Sequence, residues 1–189
     1  ATMPGMATTQ SQECVIEGTL IHTNRGIIPV EQITLDDKVY TIHSSHFGGD
    51  DKVDYYKVLR LVGPSQKSSY RKVITELGYE LLCTGDHPIY SLSRSNGELP
   101  IDEASVGDDV IVYHEKSVQT DKIKSIEVVS EDANVYNFSI DAAQSYFSNN
   151  ILSHNMAAEQ AGKGYDVSGP GTSSPRRVIF QDQFDQSQR

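Results

Sequence analysis

Three short stretches of the sequence hold side chains that could take part in covalent chemistry. Cys14 carries a thiol, residues 84–87 (Thr-Gly-Asp-His) carry an imidazole, and His154 and Asn155 stand together just before the composition changes at Met156. A thiolate is a strong nucleophile near neutral pH, and an imidazole can give or take a proton in the same range. If the fold brings these side chains together, they could attack and break an acyl bond.

Each stretch alone also has an ordinary structural interpretation. A single cysteine at the start of a strand is commonly a small buried hydrophobe. A Thr-Gly-Asp-His sequence is typical of a turn in which Asp86 bonds the backbone, and a His-Asn pair is common in surface turns. Their placement favours function, because Cys14 and Asn155 mark the two boundaries of one compositional region while Thr84 and His87 lie in its second half.

The segments between these stretches predict strands. They are short, rich in Val, Ile, Tyr and Phe, and divided by turn residues. No segment keeps the apolar period of a helix over about 12 residues. The predicted strands are 15–22, 38–43, 55–63, 70–77, 79–84, 88–92, 109–113, 122–129, 135–140 and 144–152. Ten short strands with almost no helix indicate an all-β domain.

Composition divides the chain into a polar flank at 1–13, a β-rich domain at 14–155 and a Gly-, Ser- and Pro-rich flank at 156–189. Within the domain, residues 26–39 match residues 97–110 at a constant offset of 71, with Gly, Pro, aliphatic and Asp positions in register. We interpret this repeat as a duplicated β unit folded about a pseudo-twofold axis, which brings the starts of the two halves together. The alternative is chance similarity between two turn-and-strand units.

Composition also limits the partners that we expect. The formal net charge of −10 opposes binding to nucleic acid, and no apolar run approaches the roughly 18 residues of a membrane span. The first residues lack the basic start and apolar block of a signal peptide, and two cysteines suit a reducing compartment. We therefore expect a cytoplasmic protein without membrane or nucleic-acid partners. Residues 178–180 (Val-Ile-Phe) could pair with the sheet edge of a protein partner.

Three blocks in this order resemble the Hint superfamily, which includes minimal inteins, bacterial intein-like domains and, similarly, Hedgehog autoprocessing domains. The blocks are 14–21 (CVIEGTLI) with Gly26, Pro29, Val30 and Asp37, then 84–87 (TGDH), then 135–140 (VYNFSI) through 146–155 (YFSNNILSHN). The resemblance covers 142 residues, which leaves no room for a homing-endonuclease insert. It implies a horseshoe-shaped all-β fold with pseudo-twofold symmetry.

The resemblance implies a protein that processes its own backbone. Cys14 would attack the carbonyl carbon of Glu13 in an N–S acyl shift that converts the peptide bond to a thioester. His87 would act as the general acid for the amide nitrogen of Cys14, and Thr84 would hold the oxyanion or the imidazole. Asp86 would tune His87, with a role as turn former as the alternative.

At the other junction the resemblance implies that Asn155 cyclises to a succinimide and releases Met156. His154 would polarise the scissile carbonyl or protonate the leaving amine. Three outcomes stay open: cleavage of the thioester by water or a thiol, cyclisation of Asn155, or inefficient splicing through attack of the freed Met156 amine on the thioester. Single-ended cleavage is preferred, because it needs no residue that is missing.

Three positions depart from the pattern of splicing inteins. Met156 stands where they have Cys, Ser or Thr, and its thioether cannot accept an acyl group. Asn137 stands where many have Asp, and Gln144 where many have His, so two groups that could carry protons are absent. The pattern is therefore most similar to bacterial intein-like domains and indicates slow chemistry.

The second cysteine and the other histidines have less specific interpretations. Cys83 is a buried core thiol or, alternatively, a redox partner of Cys14. Cys14, His87 and His154 could share an inhibitory zinc ion, although no ligand spacing demands a metal, and no cofactor is expected. The histidines interpreted as surface or satisfied strand residues are His22, His43, His46 and His114.

Two other functions stay open. The chain could be a slow or inactive Hint domain, retained as a structural part of a larger assembly whose partner orders the C-terminal tail. It could also be an ordinary cysteine hydrolase that uses Cys14 and His87, although no substrate-pocket motif accompanies them.

Overall fold

The chain is described by a computed structural model that covers residues 13–42 and 53–154. Fourteen β-strands form its framework in those ranges, and every pairing between them is antiparallel. The strands are β1 (Val15–Ile16), β2 (Leu20–Thr23), β3 (Gly26–Pro29), β4 (Lys38–Ile42), β5 (Val53–Lys67), β6 (Tyr70–Thr75), β7 (Glu80–Cys83), β8 (Pro88–Tyr90), β9 (Glu98–Pro100), β10 (Asp109–His114), β11 (Ser117–Val129), β12 (Ala133–Ile140), β13 (Ser145–Ser148) and β14 (Ile151–His154). The expectation of an all-β domain is confirmed.

The strands form one continuous, closed path. Its order is β10-β11-β6-β7-β1-β12-β5-β4-β2-β13-β14, and β14 pairs again with β10 through Val112 and Ile151. The short strands β3, β8 and β9 lie outside this ring: β3 pairs with β2, β8 pairs with β14, and β9 pairs with β8. Buried apolar side chains form one large cluster, since alternate residues of a strand face opposite sides. A smaller second cluster consists of Ile42, Tyr90, Ile111, Phe147 and Leu152.

The internal repeat is a structural repeat. The first copy consists of β3, a 3-10 turn (Val30–Gln32) and β4, and the second copy consists of β9, a 3-10 turn (Ile101–Glu103) and β10. In both copies an aspartate closes the next turn. The amide of Thr34 donates to Asp37 at 2.7 Å, and the amide of Ser105 donates to Asp108 at 2.8 Å. The interpretation as a duplicated unit is confirmed.

The two halves meet where β1 pairs with β7. Val15 pairs with Cys83 there, on strands that lead from Cys14 and into Thr84. This crossing brings the starts of the two halves side by side, as the pseudo-twofold interpretation requires.

Several strand boundaries differ from the predictions. The predicted strand 15–22 is two strands, because Gly18 adopts φ +92 and turns the chain between them. The predicted strand 144–152 is the hairpin of β13 and β14, turned by Asn149 and Asn150, whose φ values of 49 and 71 suit asparagine. Strands β3 and β9 were not predicted, because each is short and ends at a proline.

Parts of the predicted chain lie outside the described residues: the flanks other than Glu13, the C-terminal segment 178–180, and His43 and His46. His22 and His114 lie on strands, and each has a hydrogen-bond partner, Asn150 at 2.7 Å and Tyr79 at 2.6 Å respectively. In the ranges that the structure covers, no helix is long and apolar enough to cross a membrane.

Candidate active site

The crossing of β1 and β7 fixes the main chain of Cys14. Its amide donates to Thr84 Oγ1 at 3.0 Å, and its carbonyl oxygen accepts from the amide of Thr84 at 3.0 Å and from the Thr84 hydroxyl at 3.3 Å. Both residues are buried. Thr84 therefore holds the nitrogen of the Glu13–Cys14 peptide bond, rather than the carbonyl oxygen at which an oxyanion would form.

Asn137 on β12 binds the other end of the same peptide group. Its Nδ2 donates to the carbonyl oxygen of Glu13. The amide of Phe138 donates to Asn137 Oδ1 at 2.8 Å, which fixes the side-chain amide with Nδ2 toward Glu13. The sequence indicated only that a proton-carrying group is absent at 137, so this role as a donor was missed.

A bulge in β5 sets the position of Asn137. Val135 pairs with Ser65 but Asn137 pairs with Val62, so β5 accommodates one extra residue there. Gly63 has φ +115 at this point, and a side chain would collide with the carbonyl oxygen of Val135. A glycine is therefore required for the close approach of β5 to the strand that carries Asn137.

His87 is fully buried beside the same peptide group. It follows the turn at 84–87, where its amide donates to the carbonyl of Thr84 at 3.1 Å, and its ring lies 6.5 Å from that of Tyr146. Burial, followed by the charge of His154, lowers the pKa of His87 to about 3, although the nearby main chain of Glu13 raises it. The imidazole is therefore neutral at pH 7, and it is a weak base.

The thiol of Cys14 is also neutral at pH 7. The side chain is 1% exposed. Burial raises its pKa to about 12, since the nearby charge of Lys67 is outweighed by burial together with the carboxylates of Asp86 and Glu13. Burial also raises the pKa of Cys83, and both cysteines are free thiols.

The proposed zinc site has no counterpart in the geometry. Within residues 13–42 and 53–154, no group of three Cys, His, Asp or Glu side chains is placed to hold a metal ion. Cys14, His87 and His154 therefore do not form a ligand set in this structure.

His154 ends β14 and contacts two residues that the sequence did not single out. Its Nε2 lies 3.1 Å from Glu98 Oε2, and its ring lies 5.6 Å from the ring of Tyr90 at an interplanar angle of 31°. The contact with His154 lowers the pKa of Glu98, against the effect of burial. No motif marks Glu98, whose approach to His154 depends on the order of strands in the sheet.

The other predicted residues make no hydrogen bond described here to the Glu13–Cys14 peptide group. Asp86 is exposed, and its charge raises the pKa of Glu13 and of Cys14; burial is the main cause for both. Gln144 immediately precedes Ser145, which pairs with His154, and its carbonyl accepts from the Tyr90 hydroxyl at 3.4 Å. The predicted residues Asn155 and Met156 lie outside the described residues.

The turn that carries Thr84 and His87 is supported from the second copy. The amide of Asp102 donates to the carbonyl of Gly85 at 2.8 Å, and its carboxylate accepts from Arg71 at 2.7 and 3.2 Å. A Cβ at Gly85 would collide with that carboxylate. Glycine at this position therefore lets the turn lie directly against the second copy.

No protein-family model matches this chain, and no curated protein matches it. Solved structures do. A bacterial intein-like domain from Clostridium thermocellum is 23% identical with a TM-score of 0.64, over 77% of this chain and 100% of that one. A DnaB intein from Synechocystis sp. PCC 6803 is 18% identical with a TM-score of 0.66, over 76% of this chain and 99% of that one.

The gp41-1 intein is also similar, with 23% identity and a TM-score of 0.62 over 77% of this chain and 100% of that one. Each of these structures is matched over at least 99% of its length. The described residues of this chain hold fourteen strands, with a duplicated unit and a pairing of β1 with β7. The fold of this chain is therefore the Hint fold of inteins and bacterial intein-like domains, without an endonuclease insert.

Proposed function

We propose that this chain is a self-processing domain that breaks its own backbone at the Glu13–Cys14 and Asn155–Met156 bonds. The observation that carries the proposal is that side chains, not main chain, bind both ends of the Glu13–Cys14 peptide group. Asn137 donates to its carbonyl oxygen, and Thr84 accepts from its N–H. A peptide group beside a sheet is ordinarily bonded to neighbouring main chain, whereas two buried side chains bind this one just before β1.

The first step is an N–S acyl shift. Sγ of Cys14 bonds to the carbonyl carbon of Glu13, and negative charge builds on the carbonyl oxygen until the C–N bond breaks. Nδ2 of Asn137 donates to that oxygen and would stabilise the charge as it forms. In this mechanism Asn137 supplies the oxyanion donor, and Thr84 orients the leaving nitrogen.

His87 moves the one proton that this step needs. As a neutral imidazole it takes the proton from Sγ of Cys14, and as an imidazolium it gives that proton to the Cys14 nitrogen. The thioester forms, the amine is freed, and the total number of protons is unchanged. A general-acid role for His87 thus begins with the same ring acting as a base.

The site favours slow chemistry on an internal substrate. A thiol with a pKa of about 12 provides little thiolate at neutral pH. The sulfur is also buried, so an external substrate could not reach it. This burial disfavours an ordinary cysteine hydrolase and suits a single turnover within the chain.

At the second junction Asn155 would cyclise, and Nδ2 would displace the amine of Met156. Because the thioether of Met156 cannot accept an acyl group, the two cuts need not be coupled, and release of either flank is expected before splicing. The domain would then be residues 14–155, and its substrates would be its own flanks, 1–13 and 156–189.

Mass spectrometry of the full chain over time tests the proposal. Fragments that end at Glu13 or at Asn155 are expected, the first more abundant with an added small thiol. A fragment ending at Asn155 that is lighter by one water would identify the succinimide. Cys14→Ala should abolish only the first cut, and Asn155→Ala only the second.

Cys83→Ala is the matched control for the thiol, because Cys83 is equally buried and lies on the neighbouring strand. Both cuts should persist in this variant. A single uncut mass that survives thiols for days, or cuts that persist in both Cys14→Ala and Asn155→Ala, would contradict the proposal.

A further inference from the structure

Arg71 on β6 and Asp102 in the second 3-10 turn form an ion pair with two points of contact. Nε of Arg71 lies 2.7 Å from Oδ1 of Asp102, and Nη2 lies 3.2 Å from Oδ2. Charge attraction alone adds little between exposed groups. A guanidinium that binds both oxygens of one carboxylate, however, fixes the relative direction of the two side chains. The pair therefore sets where the 3-10 turn lies relative to β6.

The same aspartate holds the turn that carries His87. Its amide donates to the carbonyl of Gly85 at 2.8 Å, and the amide of Ile101 donates to the carbonyl of His87 at 3.1 Å. The carboxylate of Asp102 lies so close to Gly85 that a Cβ at Gly85 would collide with it. The main chain from Gly85 to His87 is thus bonded to the 3-10 turn that Arg71 holds.

Arg71 also connects this arrangement to the strand that leads into the catalytic turn. It pairs with Cys83 across β6 and β7, and Cys83 immediately precedes Thr84. A closed path of contacts therefore runs from β7 to β6, through the ion pair to Asp102, and back into the turn after β7. Loss of the ion pair would remove one side of this path.

The position of the His87 ring depends on the main chain of this turn. Neither ring nitrogen has a hydrogen-bond partner among the described residues, so no such bond orients the imidazole there. The ring is fully buried and lies 6.5 Å from that of Tyr146, at an interplanar angle of 62°. Packing and the main chain of the turn therefore place the imidazole. A shift of about 1 Å in that main chain would misplace the proton relay.

The first copy of the repeat holds its turn in a different way. The position of Asp102 is occupied there by Glu31, whose carboxylate accepts from the amide of Gly18 at 2.8 Å. In the second copy the carboxylate binds Arg71, and the main-chain amide of Asp102 bonds to the turn. The arginine contact of the second copy thus occurs at the turn that carries the imidazole, as a positioning role predicts.

We propose that Arg71 and Asp102 are positioning residues for the N-terminal cleavage, because together they set where the His87 ring lies. The inference rests on the proposed function. Neither side chain takes or gives a proton in the acyl shift, and both act through the main chain of Gly85. His87 remains the group that carries the proton from Sγ to the leaving nitrogen.

The rate and the pH profile of the N-terminal cut test this role. Asp102→Asn keeps the size of the side chain and the main-chain amide but removes the charge. We expect thiol-induced release of residues 1–13 to slow about tenfold, because the imidazole is displaced from the relay. The rate should also begin to rise with pH, since solvent removes the thiol proton in a larger share of molecules. Arg71→Lys cannot bind both oxygens in the same way and should slow the cut about threefold.

Two combinations separate positioning from a general loss of structure. Arg71→Gln should slow the cut as much as Asp102→Asn, and the double variant should be no slower than either single variant. In a His87→Ala background, Asp102→Asn should have no further effect on the cut. Full additivity of the effects in either combination would overturn the proposal.

Glu103→Gln is the matched control. Glu103 follows Asp102 in the same 3-10 turn and lies 2.8 Å from Arg94, in the segment between β8 and β9 rather than on β6. Loss of this ion pair should change neither the rate of the N-terminal cut nor its pH profile. Equal slowing in Glu103→Gln and Asp102→Asn would overturn the proposal.

A second readout does not depend on cleavage. In a chain with both junctions blocked, Arg71→Gln should speed hydrogen exchange of the Ile101 and Asp102 amides about tenfold, because their bonds to the turn open more often. The amide of Ser105, which donates to Asp108 after the 3-10 turn, should exchange as before. Unchanged exchange at residues 101 and 102 would overturn the positioning role, whatever the cleavage result.

The two measurements distinguish failure of the positioning role from failure of the proposed function. If the amides respond but the native chain never cuts at Glu13–Cys14, the proposed function fails and the positioning role fails with it. If the native chain cuts, and Asp102→Asn and Arg71→Gln cut at the native rate with the native profile, only the positioning role fails.

Discussion

In the first copy of the repeated unit, Ile27 is 58% exposed and lies opposite His22 on the neighbouring strand. In the second copy, the position of Ile27 is occupied by Glu98, which lies opposite Tyr90 and contacts His154. The same place in the same framework holds a surface isoleucine in one half and a paired carboxylate in the other.

An equivalent main-chain hydrogen bond lies next to these positions in the two copies. Val30 donates to the carbonyl of Thr19 at 2.8 Å, and Ile101 donates to the carbonyl of His87 at 3.1 Å. Thr19 and His87 therefore occupy equivalent places, but only one of them carries an imidazole. The two copies share this main-chain contact, but only the second lies beside an imidazole, that of His87.

The first copy has an ion pair between Arg25 and Asp37. The guanidinium of Arg25 donates to both carboxylate oxygens of Asp37, at 2.6 and 3.1 Å. In the second copy the position of Arg25 is occupied by Asn96, and Asp108 accepts from Ser105. The comparison thus separates positions that stabilise the framework from positions that could act on the backbone.

The largest effect is expected from His87, whose carbonyl accepts from the amide of Ile101 in the second copy. His87→Ala should slow cleavage at Glu13–Cys14 by about a thousandfold, since it removes the group that would relay the proton. His22→Ala removes a histidine of the first half and should change the rate of this cleavage by less than about twofold. Thiol-induced release of residues 1–13 measures both.

The pH profile sharpens this prediction. The relay uses a neutral imidazole and a neutral thiol, with pKa values of about 3 and about 12, so trapping of the thioester should be independent of pH between about 5 and 9. In His87→Ala, solvent must remove the thiol proton, and the rate should rise with pH. A flat profile in the variant would contradict the assignment.

A smaller loss is expected at the oxyanion donor. Asn137→Ala should slow the N-terminal cut by about a hundredfold, because the carbonyl oxygen of Glu13 loses its side-chain donor. Asn134→Ala is the matched control on the same strand, where the exposed amide contacts Glu17. Single-turnover rates with saturating hydroxylamine report both. Equal rates in the two variants would remove Asn137 from the mechanism.

For the free energy of unfolding, we expect a larger loss from a substitution in the first copy than from the equivalent substitution in the second. Asp37→Ala removes the buried carboxylate that accepts hydrogen bonds from Arg25 and Thr34. We expect this to lower the free energy of unfolding by about 2–3 kcal/mol. Asp108→Ala removes a turn acceptor and should cost about 1 kcal/mol. Urea unfolding of uncut Cys14→Ala/Asn155→Ala chains measures the difference. Equal costs would mean that Arg25 adds nothing to the first copy.

The smallest effect concerns pH. The hydrogen bond from Arg25, and then those from Thr34, hold the pKa of Asp37 below its ordinary value although burial opposes them. A carboxyl with a depressed pKa stabilises the fold fully above its unfolded pKa near 4 and loses that contribution as pH falls through the folded value. The stability gap between the native residue and Asp37→Asn should therefore stay constant from pH 8 to about 5 and narrow below about 4.

Much of the framework and part of the site could be predicted from sequence. Alternating β-branched residues indicate the strands, and the fixed spacing of Gly26 and Gly97 reveals the duplication. The motif that contains Thr84 and His87 singles out residues that do lie at the Glu13–Cys14 bond. These are local signals, which a single sequence carries.

Glu98 and Asn137 could not be found in that way. Glu98 looks like a turn residue until β8 places β9 beside β14, and this order is a property of the closed sheet. Asn137 looks like a lost carboxylate until the bulge at Gly63 sets its register and Phe138 fixes its amide. Both depend on contacts between segments far apart in the chain, which periodicity does not reveal.

The ring of strands has a consequence for the domain that the proposed cleavages would leave. The first strand, β1, lies between β7 and β12, and the last, β14, lies among β13, β8 and β10. Breaking the chain just outside either strand removes no rung of the ladder. A trimmed remnant should thus melt at nearly the same temperature as its intact parent and persist as an inert by-product.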